Sequence, residues 1–237
     1  MGMTRANILD RVVAIIGDNS TEFRSYLETS LDNAMHLLWD AHDWTFKHKA
    51  STLSTVIAQE EYDLSVVTTD IRSSNDIEVL YDSTEGRFLR KNDLHSIKKR
   101  YPKADNSGDP TEYAPWGTKA IFLNPIPDAV NALKFLYIAK CTVPTADVDD
   151  LEDDCGLPDY VQPILEKLLL SEGFLYTDDA RRSNLLSEIN SIYIPNAIVA
   201  DMKHLDSCAR IKFWEEELAP RGVSYDDFLK HIWWDEN

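Results

Sequence analysis

Residues 37–65, LLWDAHDWTFKHKASTLSTVIAQEEYDLS, span the point where the sequence changes from a helical to an extended pattern. Before this point apolar residues recur at spacings of three and four, at Phe23, Leu27, Leu31, Ala34, Leu38 and Ala41. This period predicts a helix over about residues 20–41, begun by a capping box of Asn19 and Glu22. After it, STLSTVIAQEEYDLS predicts two short strands around a polar turn at Gln59 and Glu60. The stretch therefore joins a helical part to a β-rich part.

The same stretch and the residue before it carry side chains that could ligate a metal ion. The candidates are His36, Asp40, His42 and His48. Six residues turn a helix by about 600°, or about 240° net, so histidines at that spacing face away from each other. Only His36 and Asp40 have the i, i+4 spacing of two ligands on one helical face. A metal-dependent hydrolase stays an alternative here, and the main interpretation is a helix end.

A first helix precedes this one, and a β-rich segment follows the junction. Ile8, Val12 and Ile15 give residues 4–16 a helical period, which Gly17 ends. The segment 47–144 contains runs rich in β-branched and aromatic residues, separated by Pro, Gly and Asn. These runs are DIEVLYD, RFLRK, KAIFLNP and ALKFLYIAKC. They predict further strands with irregular connections.

An acidic linker and further helices follow the β-rich segment. The linker is TADVDDLEDDCGLPDY, residues 145–160, and Pro158 near its end suits the first turn of a helix. A later helix begins at about Asp178, and Pro195 predicts a kink or break in it. The predicted fold is α+β: an antiparallel helical bundle with a β-rich insertion between the second and third helices and an extended aromatic C-terminal tail. The predicted segments are 1–46 (N-terminal helical pair), 47–144 (insertion), 145–206 (linker and C-terminal bundle helices) and 207–237 (docking tail).

Composition and motif content favour a folded protein without catalytic machinery. The chain has 237 residues, of which 43% are hydrophobic and 27% charged, which is enough apolar material for a core. The sequence contains no GxSxG, P-loop or GxGxxG motif, and its three cysteines have no zinc-knuckle spacing. No apolar run approaches the roughly 20 residues of a transmembrane helix. We therefore expect a non-enzymatic protein that uses no cofactor, metal or membrane.

The formal net charge of −17 is the most informative feature of the overall composition. Such a chain repels a phosphate backbone, so tight DNA binding is not expected. A basic island interrupts the acidity, at Arg87, Arg90, Lys91, Lys98, Lys99 and Arg100. Three interpretations are open: a solvated strand–turn face, a nucleic-acid patch, or a contact with the acidic surface of a neighbouring subunit. We predict the subunit contact.

The aromatic residues fall into two predicted groups. The predicted structural anchors are Trp39, Trp44, Tyr113 and Trp116. The C-terminal tail carries a second set, Phe213, Trp214, Tyr225, Phe228, Trp233 and Trp234. Trp and Tyr are enriched where the binding energy of an interface is concentrated. We predict that the tail docks on a partner protein rather than folding back on the core.

Three motifs resemble those of the head-to-tail adaptor proteins of tailed double-stranded DNA bacteriophages, over about residues 20–200. A TLxTVxGQxxYxLP-like strand pair after a tryptophan is carried by Trp44, Thr52, Leu53, Thr55, Val56, Gln59, Tyr62 and Leu64. A GxPxxYxxWGxxIxLxPxP-like block is carried by Gly108, Pro110, Tyr113, Trp116, Gly117, Ile121, Leu123, Pro125 and Pro127. The third motif is carried by Leu151, Leu157, Pro158 and Tyr160. Ala58 departs from the usual glycine, and Ser65 from the usual proline.

The resemblance implies a ring, usually of twelve copies, added beneath the portal vertex after genome packaging. Such a ring lies in the virion neck, extends the DNA channel and provides the platform for the tail. The implied partners are further copies of the chain, the portal protein against which the C-terminal segment inserts, and a downstream tail or neck protein. Genomic DNA would pass without specific binding. Another neck or tail component, such as a tail terminator or gatekeeper, is the structural alternative.

Overall fold

The structure, a computed structural model, describes residues 3–102, 106–204, 212–221 and 224. Within these ranges it has six α-helices and two β-sheets. The helices are α1 (Arg5–Ile16), α2 (Thr21–Asp40), α3 (Leu94–Arg100), α4 (Gln162–Tyr176), α5 (Arg181–Glu188) and α6 (Ile194–Met202). The strands are β1 (His48–Ser54), β2 (Glu61–Asp63), β3 (Ile77–Asp82), β4 (Arg87–Phe88), β5 (Arg90–Lys91), β6 (Glu112–Trp116), β7 (Ala120–Asn124) and β8 (Ala132–Ile138). The prediction of a mixed α and β fold is confirmed.

The chain divides into two compact units. The helical unit consists of Met1–Phe46 and Cys141–Leu205, and the β unit consists of Lys47–Lys140 and Asp206–Asn237. The strands therefore come, along the chain, between α2 and α4. The division into four segments at residues 46, 144 and 206 stays a prediction.

The turn between α1 and α2 is defined by side-chain and glycine chemistry. Gly17 ends α1 as predicted, with a φ of +84° that favours glycine. Ser20 caps α2, because its Oγ accepts a hydrogen bond from Phe23 N at 3.2 Å. The prediction of Asn19 as the cap was wrong by one residue. The backbone N–H of Ser20 donates to Asp18 Oδ1 at 2.9 Å, and this contact holds the turn so that Ser20 is the capping residue.

Helix α4 approaches α1 and α2 through a glycine. A Cβ atom at Gly173 would lie 3.2 Å from Cγ1 of Ile16 and 3.3 Å from Cζ of Phe23, so a larger residue would push against both side chains. Around this contact the core is made of fully buried side chains of the three helices. They include Ile8, Leu9, Val12, Phe23, Leu27, Leu31, Leu38, Ile164, Leu165 and Leu169. The helical unit therefore has an apolar core of its own.

The start of α4 differs from the prediction. The helix begins at Gln162, with a proline in its first turn, and not at Pro158. The reason is a turn that delays the helix: the N–H of Leu157 donates to Leu151 O at 2.8 Å. The Gln162 side chain then donates from Nε2 to Leu157 O at 2.9 Å. The second bond occupies the Leu157 carbonyl, which would be the first acceptor of a helix that started at Pro158.

Pro195 is accommodated without a break in the helical path. Residues Ile189–Tyr193 form a π-helical turn between α5 and α6, and Pro195 lies in the first turn of α6. The side chain of Asn190 in this turn donates from Nδ2 to Leu186 O in α5 at 3.0 Å. The sequence predicts a kink or break because proline lacks an N–H. The structure instead places one wider, π-helical turn directly before α6, so that Pro195 falls in a first turn, where its missing N–H is tolerated.

The β unit contains two four-stranded sheets, in the orders β1-β8-β3-β4 and β2-β7-β6-β5. The described pairings are antiparallel apart from β5 with β6. β1 and β2 flank the turn at Gln59 as the sequence predicts, but β1 pairs with β8 and β2 pairs with β7. This turn therefore carries the chain from one sheet to the other.

Candidate assembly surfaces

An aromatic cluster closes the junction after α2. Trp44 is fully buried, and its Nε1–H donates a hydrogen bond to Leu38 O, a carbonyl in the last turn of α2, at 2.9 Å. The Trp44 ring stacks on Phe46 with 5.9 Å between centroids, and Trp39 meets Phe46 edge-on at 5.4 Å. Trp39 and Trp44, the two predicted anchors of the junction, thus both contact Phe46. Their anchoring role is a prediction that substitution can test.

The candidate metal ligands are not brought together in one site. The His42 ring lies edge-on to Trp44, with 5.0 Å between centroids, in the helical unit. His48 belongs to the β unit, where its side chain is buried and its Nδ1 lies 3.1 Å from Oε2 of the half-buried Glu78. Among the residues that the structure describes, no three His, Cys, Asp or Glu side chains are grouped so as to hold a metal ion.

A buried carboxylate joins distant parts of the helical unit. Asp201 of α6 is only 2% exposed and accepts hydrogen bonds from Thr45 N at 2.9 Å, from Thr45 Oγ1 at 2.8 Å and from the Tyr160 hydroxyl. Burial raises the pKa of Tyr160 well above its usual range, and the hydrogen bond to Asp201 raises it further. The Tyr160 ring also stacks on His204, with 5.1 Å between centroids. Sequence reasoning missed Asp201, although a lone acid in IPNAIVADM was a usable signal.

A second polar network lies in the β unit. Oδ2 of Asp70 accepts a hydrogen bond from Lys49 Nζ at 2.7 Å, while Oδ1 accepts from the hydroxyls of Tyr137, at 2.6 Å, and Thr68. Burial raises the pKa of Asp70, but these hydrogen bonds outweigh burial and lower the pKa to about 2. Burial and the Asp70 bond together raise the pKa of Tyr137 to about 12. Asp70 is therefore ionised and Tyr137 protonated at neutral pH.

The turn between β1 and β2 shows why the family motif has its particular residues. Tyr62 is buried, and its hydroxyl accepts a hydrogen bond from Val56 N at 2.9 Å and contacts Gln59 O at 3.0 Å. Ala58, at the position where glycine is usual, has a φ of +63°. Its N–H donates to Pro127 O at 2.8 Å, which holds it in that conformation. A left-handed backbone favours glycine, so Ala58 is a strained departure from the motif.

The basic island is largely paired within the chain. Its ion pairs are Arg87 with Asp109 at 3.6 Å, Lys98 with Glu60 at 2.7 Å, and Arg100 with Glu112. Lys91 Nζ donates to Asn75 O at 2.9 Å. Arg90 and Lys99 have no ion pair among the described residues, and both are exposed. Of the six cations, Arg90 and Lys99 are therefore the ones most available to a partner.

The island forms β4, β5 and the helix α3, which Asp93 caps by accepting a hydrogen bond from Ser96 N at 2.9 Å. Next to it, Lys98 Nζ lies 5.2 Å above the centre of the Phe122 ring. Trp116 meets the same ring edge-on at 5.7 Å and is 50% exposed, whereas Tyr113 is 2% exposed. The two predicted anchors of this sheet thus differ in burial, and their role stays a prediction.

The described part of the aromatic tail packs on the β unit. Phe213 is 3% exposed and meets Tyr81 edge-on, with 5.7 Å between centroids. Val79 and Leu136 complete this small core, and Trp214 packs at its margin. Of the other predicted docking residues, Tyr225, Phe228, Trp233 and Trp234 lie outside the described residues. The portal-docking role of all six stays a prediction.

A cleft of about 520 Å³ opens in the β unit. Its walls come from β3, β4, β5 and β6, through Glu78, Val79, Leu80, Phe88, Leu89, Arg90, Thr111, Glu112 and Tyr113. Its two carboxylates are already engaged, Glu78 with His48 and Glu112 with Arg100. Arg90 is the one charged side chain of the wall for which the described residues provide no ion pair.

A family model described as SU10 adaptor protein matches residues 3–193. The chain belongs to this family. The resemblance to bacteriophage head-to-tail adaptors is thereby confirmed, and membership of the SU10 adaptor family implies contacts with other phage neck and tail proteins. No curated protein matches the chain. Within the described residues, no helix is both long and apolar enough to cross a bilayer.

The match to the SU10 adaptor family covers the helices from α1 to α5 and all the described strands. It ends at residue 193, before α6 and the aromatic tail. Asp201 and the predicted docking residues therefore lie in a part of this adaptor that the family model does not reach.

Proposed function

We propose that this SU10 adaptor protein forms a ring of twelve copies beneath the portal of a tailed phage. The ring extends the DNA channel and provides the platform to which the tail attaches. The observation that carries the proposal is the family match over residues 3–193. The protein acts by binding and without catalysis.

The proposed subunit is an antiparallel helical bundle with the β unit inserted into it. Close packing at Gly173 and the hydrogen bonds of the buried Asp201 carboxylate support a rigid helical unit. In the β unit, the hydrogen bonds of Asp70 with Lys49 and Tyr137 support a rigid arrangement of the strands and their connections. A ring component that holds a channel open benefits from such preformed contacts, since each subunit then needs little ordering on assembly.

The net charge supports a channel through which DNA slides. A chain with a formal charge of −17 repels phosphates, so a ring of such chains lets the genome pass without binding it. The exposed cations Arg90 and Lys99 are proposed contacts to the acidic surface of the neighbouring subunit. The aromatic tail is proposed to insert against the portal.

Electron microscopy of the purified protein mixed with its portal tests this proposal. Twelve-fold rings stacked on the portal are expected, and mixtures that yield no cyclic assembly would contradict it. Portal alone and adaptor alone are the controls.

Two solution measurements test the alternatives. Metal analysis of the purified protein should find no stoichiometric zinc or manganese, and metal that is lost in His42→Ala would favour a hydrolase. DNA binding at physiological salt should be undetectable. Salt-sensitive binding that disappears when Lys98, Lys99 and Arg100 are neutralised would favour a nucleic-acid patch.

A further inference from the structure

The cleft of the β unit adjoins the part of the aromatic tail that the structure describes. Val79 and Phe88 line the cleft, and both also belong to the small core on which Phe213 packs. Trp214 packs at the margin of the same core. The tail and the cleft belong to one compact unit. The first aromatic residues of the tail are therefore held next to the cleft.

The cleft combines an apolar wall with one available cation. The apolar side chains of the wall are Val79, Leu80, Phe88, Leu89 and Tyr113. Arg90 is exposed and has no ion pair among the described residues. This combination suits a ligand that carries an aromatic group beside a carboxylate, because a guanidinium group binds a carboxylate through two parallel hydrogen bonds. The volume of about 520 Å³ lies within the range of about 300–1,000 Å³ for small-ligand pockets, so the cleft takes a few side chains.

The chain itself contains a segment with this chemistry. Residues 233–236 of the tail, Trp-Trp-Asp-Glu, place two indole rings directly before two carboxylates. Tryptophan side chains bury a large area at little cost in conformational entropy, and the adjacent carboxylates match the charge of Arg90. These four residues lie outside the described residues. Their chemistry and their position along the chain both favour the cleft as their binding site.

The tail is long enough to bring this segment to the cleft. From Arg221 to Trp233 the chain advances twelve residues, which span at most about 40 Å when extended and about 18 Å as a helix. Both lengths are comparable with the radius of about 13 Å of a 100-residue domain. A segment on the same chain also competes at an effective concentration on the order of millimolar, which favours it over an acidic segment of another protein. We infer that residues 233–236 bind in the cleft of their own β unit, where the tryptophans contact the apolar wall and a carboxylate pairs with Arg90.

The contact regulates docking on the portal, and this consequence rests on the proposed function. Trp233 and Trp234 are also predicted docking residues, and the same two side chains cannot occupy the cleft and the portal at once. The free subunit therefore holds the end of its tail in the cleft, and binding to the portal releases it. The apparent affinity for the portal falls with the fraction of subunits whose tail is released.

Photo-crosslinking of the free, full-length protein tests the contact. The chain carries p-benzoylphenylalanine at position 234, isotopically labelled and unlabelled chains are mixed before irradiation, and mass spectrometry maps the products. We expect cross-links to residues 78–80, 88–90 or 111–113 within one chain. The matched control carries the same residue at position 228, also in the tail, and should give no cross-link to the cleft. Cross-links from position 234 that lie elsewhere or join two chains, or the absence of any, would overturn the inference.

Charge reversal gives an independent measurement. Arg90→Glu should lower the yield of this cross-link severalfold, and the further changes Asp235→Lys and Glu236→Lys should restore it, because they reverse the other half of the ion pair. Lys99→Glu changes an exposed cation of the same basic island outside the wall of the cleft, and should leave the yield unchanged. Equal yields for Arg90→Glu and the wild type would overturn the inference.

The assembled complex separates this inference from the proposed function. On rings bound to the portal, position 234 should cross-link to the portal and no longer to the cleft. A cross-link to the cleft that persists in complete rings would contradict the release of the tail while the ring itself stands. A wild-type protein that forms no ring would contradict the proposed function, and the cross-links of the free protein would still decide whether the tail binds in the cleft.

Discussion

Thr45 and Asp201 are joined by two hydrogen bonds, although 156 residues separate them in the chain. One carboxylate oxygen of Asp201 accepts from the backbone N–H of Thr45, and the other accepts from its hydroxyl. The contact ties the junction after α2 to α6. It therefore fixes α6 within the helical unit.

Removal of this carboxylate should destabilise the protein strongly. We expect Asp201→Ala to lower the free energy of unfolding by about 3 kcal/mol, because the half-buried donors of Thr45 and Tyr160 lose their buried acceptor. Urea denaturation followed by circular dichroism measures the change. Asp153→Ala, at an exposed acid of the linker, is the control and should change stability by less than about 0.5 kcal/mol. Equal stabilities for the two variants would show that the contact is unimportant.

Ala58→Gly should stabilise the protein. Ala58 has a φ of +63°, and relief of that strain outweighs the greater flexibility of glycine in the unfolded chain. We expect a gain of about 0.5–1 kcal/mol in thermal or urea unfolding. Ala129→Gly, at an exposed alanine of the facing loop, should instead lower stability slightly. A loss of stability in Ala58→Gly would show that the turn is unstrained.

Asp70→Asn should lower stability in a pH-dependent way. The folded state lowers the pKa of Asp70 from 3.8 to about 2, so its ionised form stabilises the fold above about pH 4. This contribution is lost as the pH falls toward 2. We expect Asp70→Asn to cost about 2 kcal/mol at pH 7, and the difference from the wild type to shrink between pH 4 and pH 2. A difference that is constant over this range would contradict the assignment.

Trp44 and Trp116 form a matched pair for the anchor predictions. Trp44→Ala should lower the free energy of unfolding by about 3–5 kcal/mol and reduce assembly, since it empties a fully buried site. Trp116→Ala should cost less than about 1 kcal/mol, because Trp116 is 50% exposed. Chemical denaturation of both variants checks this. A Trp44→Ala protein that folds and assembles normally would show that the junction has another anchor.

Local features of the fold were predictable from the sequence. Gly17 ends a helix because the left-handed conformation favours glycine, and the change of period after Trp44 marks the start of the strands. The cap of α2 was placed at Asn19 and not Ser20, since both residues are good caps. The hydrogen bonds of Ser20 to Phe23 N and to Asp18 distinguish them, and a sequence pattern does not contain these bonds.

Contacts between distant residues were beyond sequence reasoning. β1 pairs with β8, so Ser51 lies opposite Phe135, and no local period specifies that partner. The hydrogen bonds between Thr45 and Asp201 likewise join residues that are far apart in the chain, so no local pattern predicts them. The basic island is evident from the sequence, but its pairing with acids such as Glu60 depends on the tertiary fold.

The family motifs made the adaptor family recognisable before any geometry was known, because they are strand and turn signatures with specific backbone demands. Two motif positions illustrate these demands in the turn between β1 and β2. The Tyr62 hydroxyl accepts a hydrogen bond from Val56 N, and the position of Ala58 has a left-handed backbone conformation. The match ends at residue 193, so it assigns no role to α6 or to the aromatic tail.

Electron cryomicroscopy of the intact phage particle tests the central claim most directly. The neck should contain a twelve-fold ring of this protein in contact with the portal, with the DNA channel passing through its centre. A six-fold ring further along the tail, or a particle neck without this chain, would contradict the account.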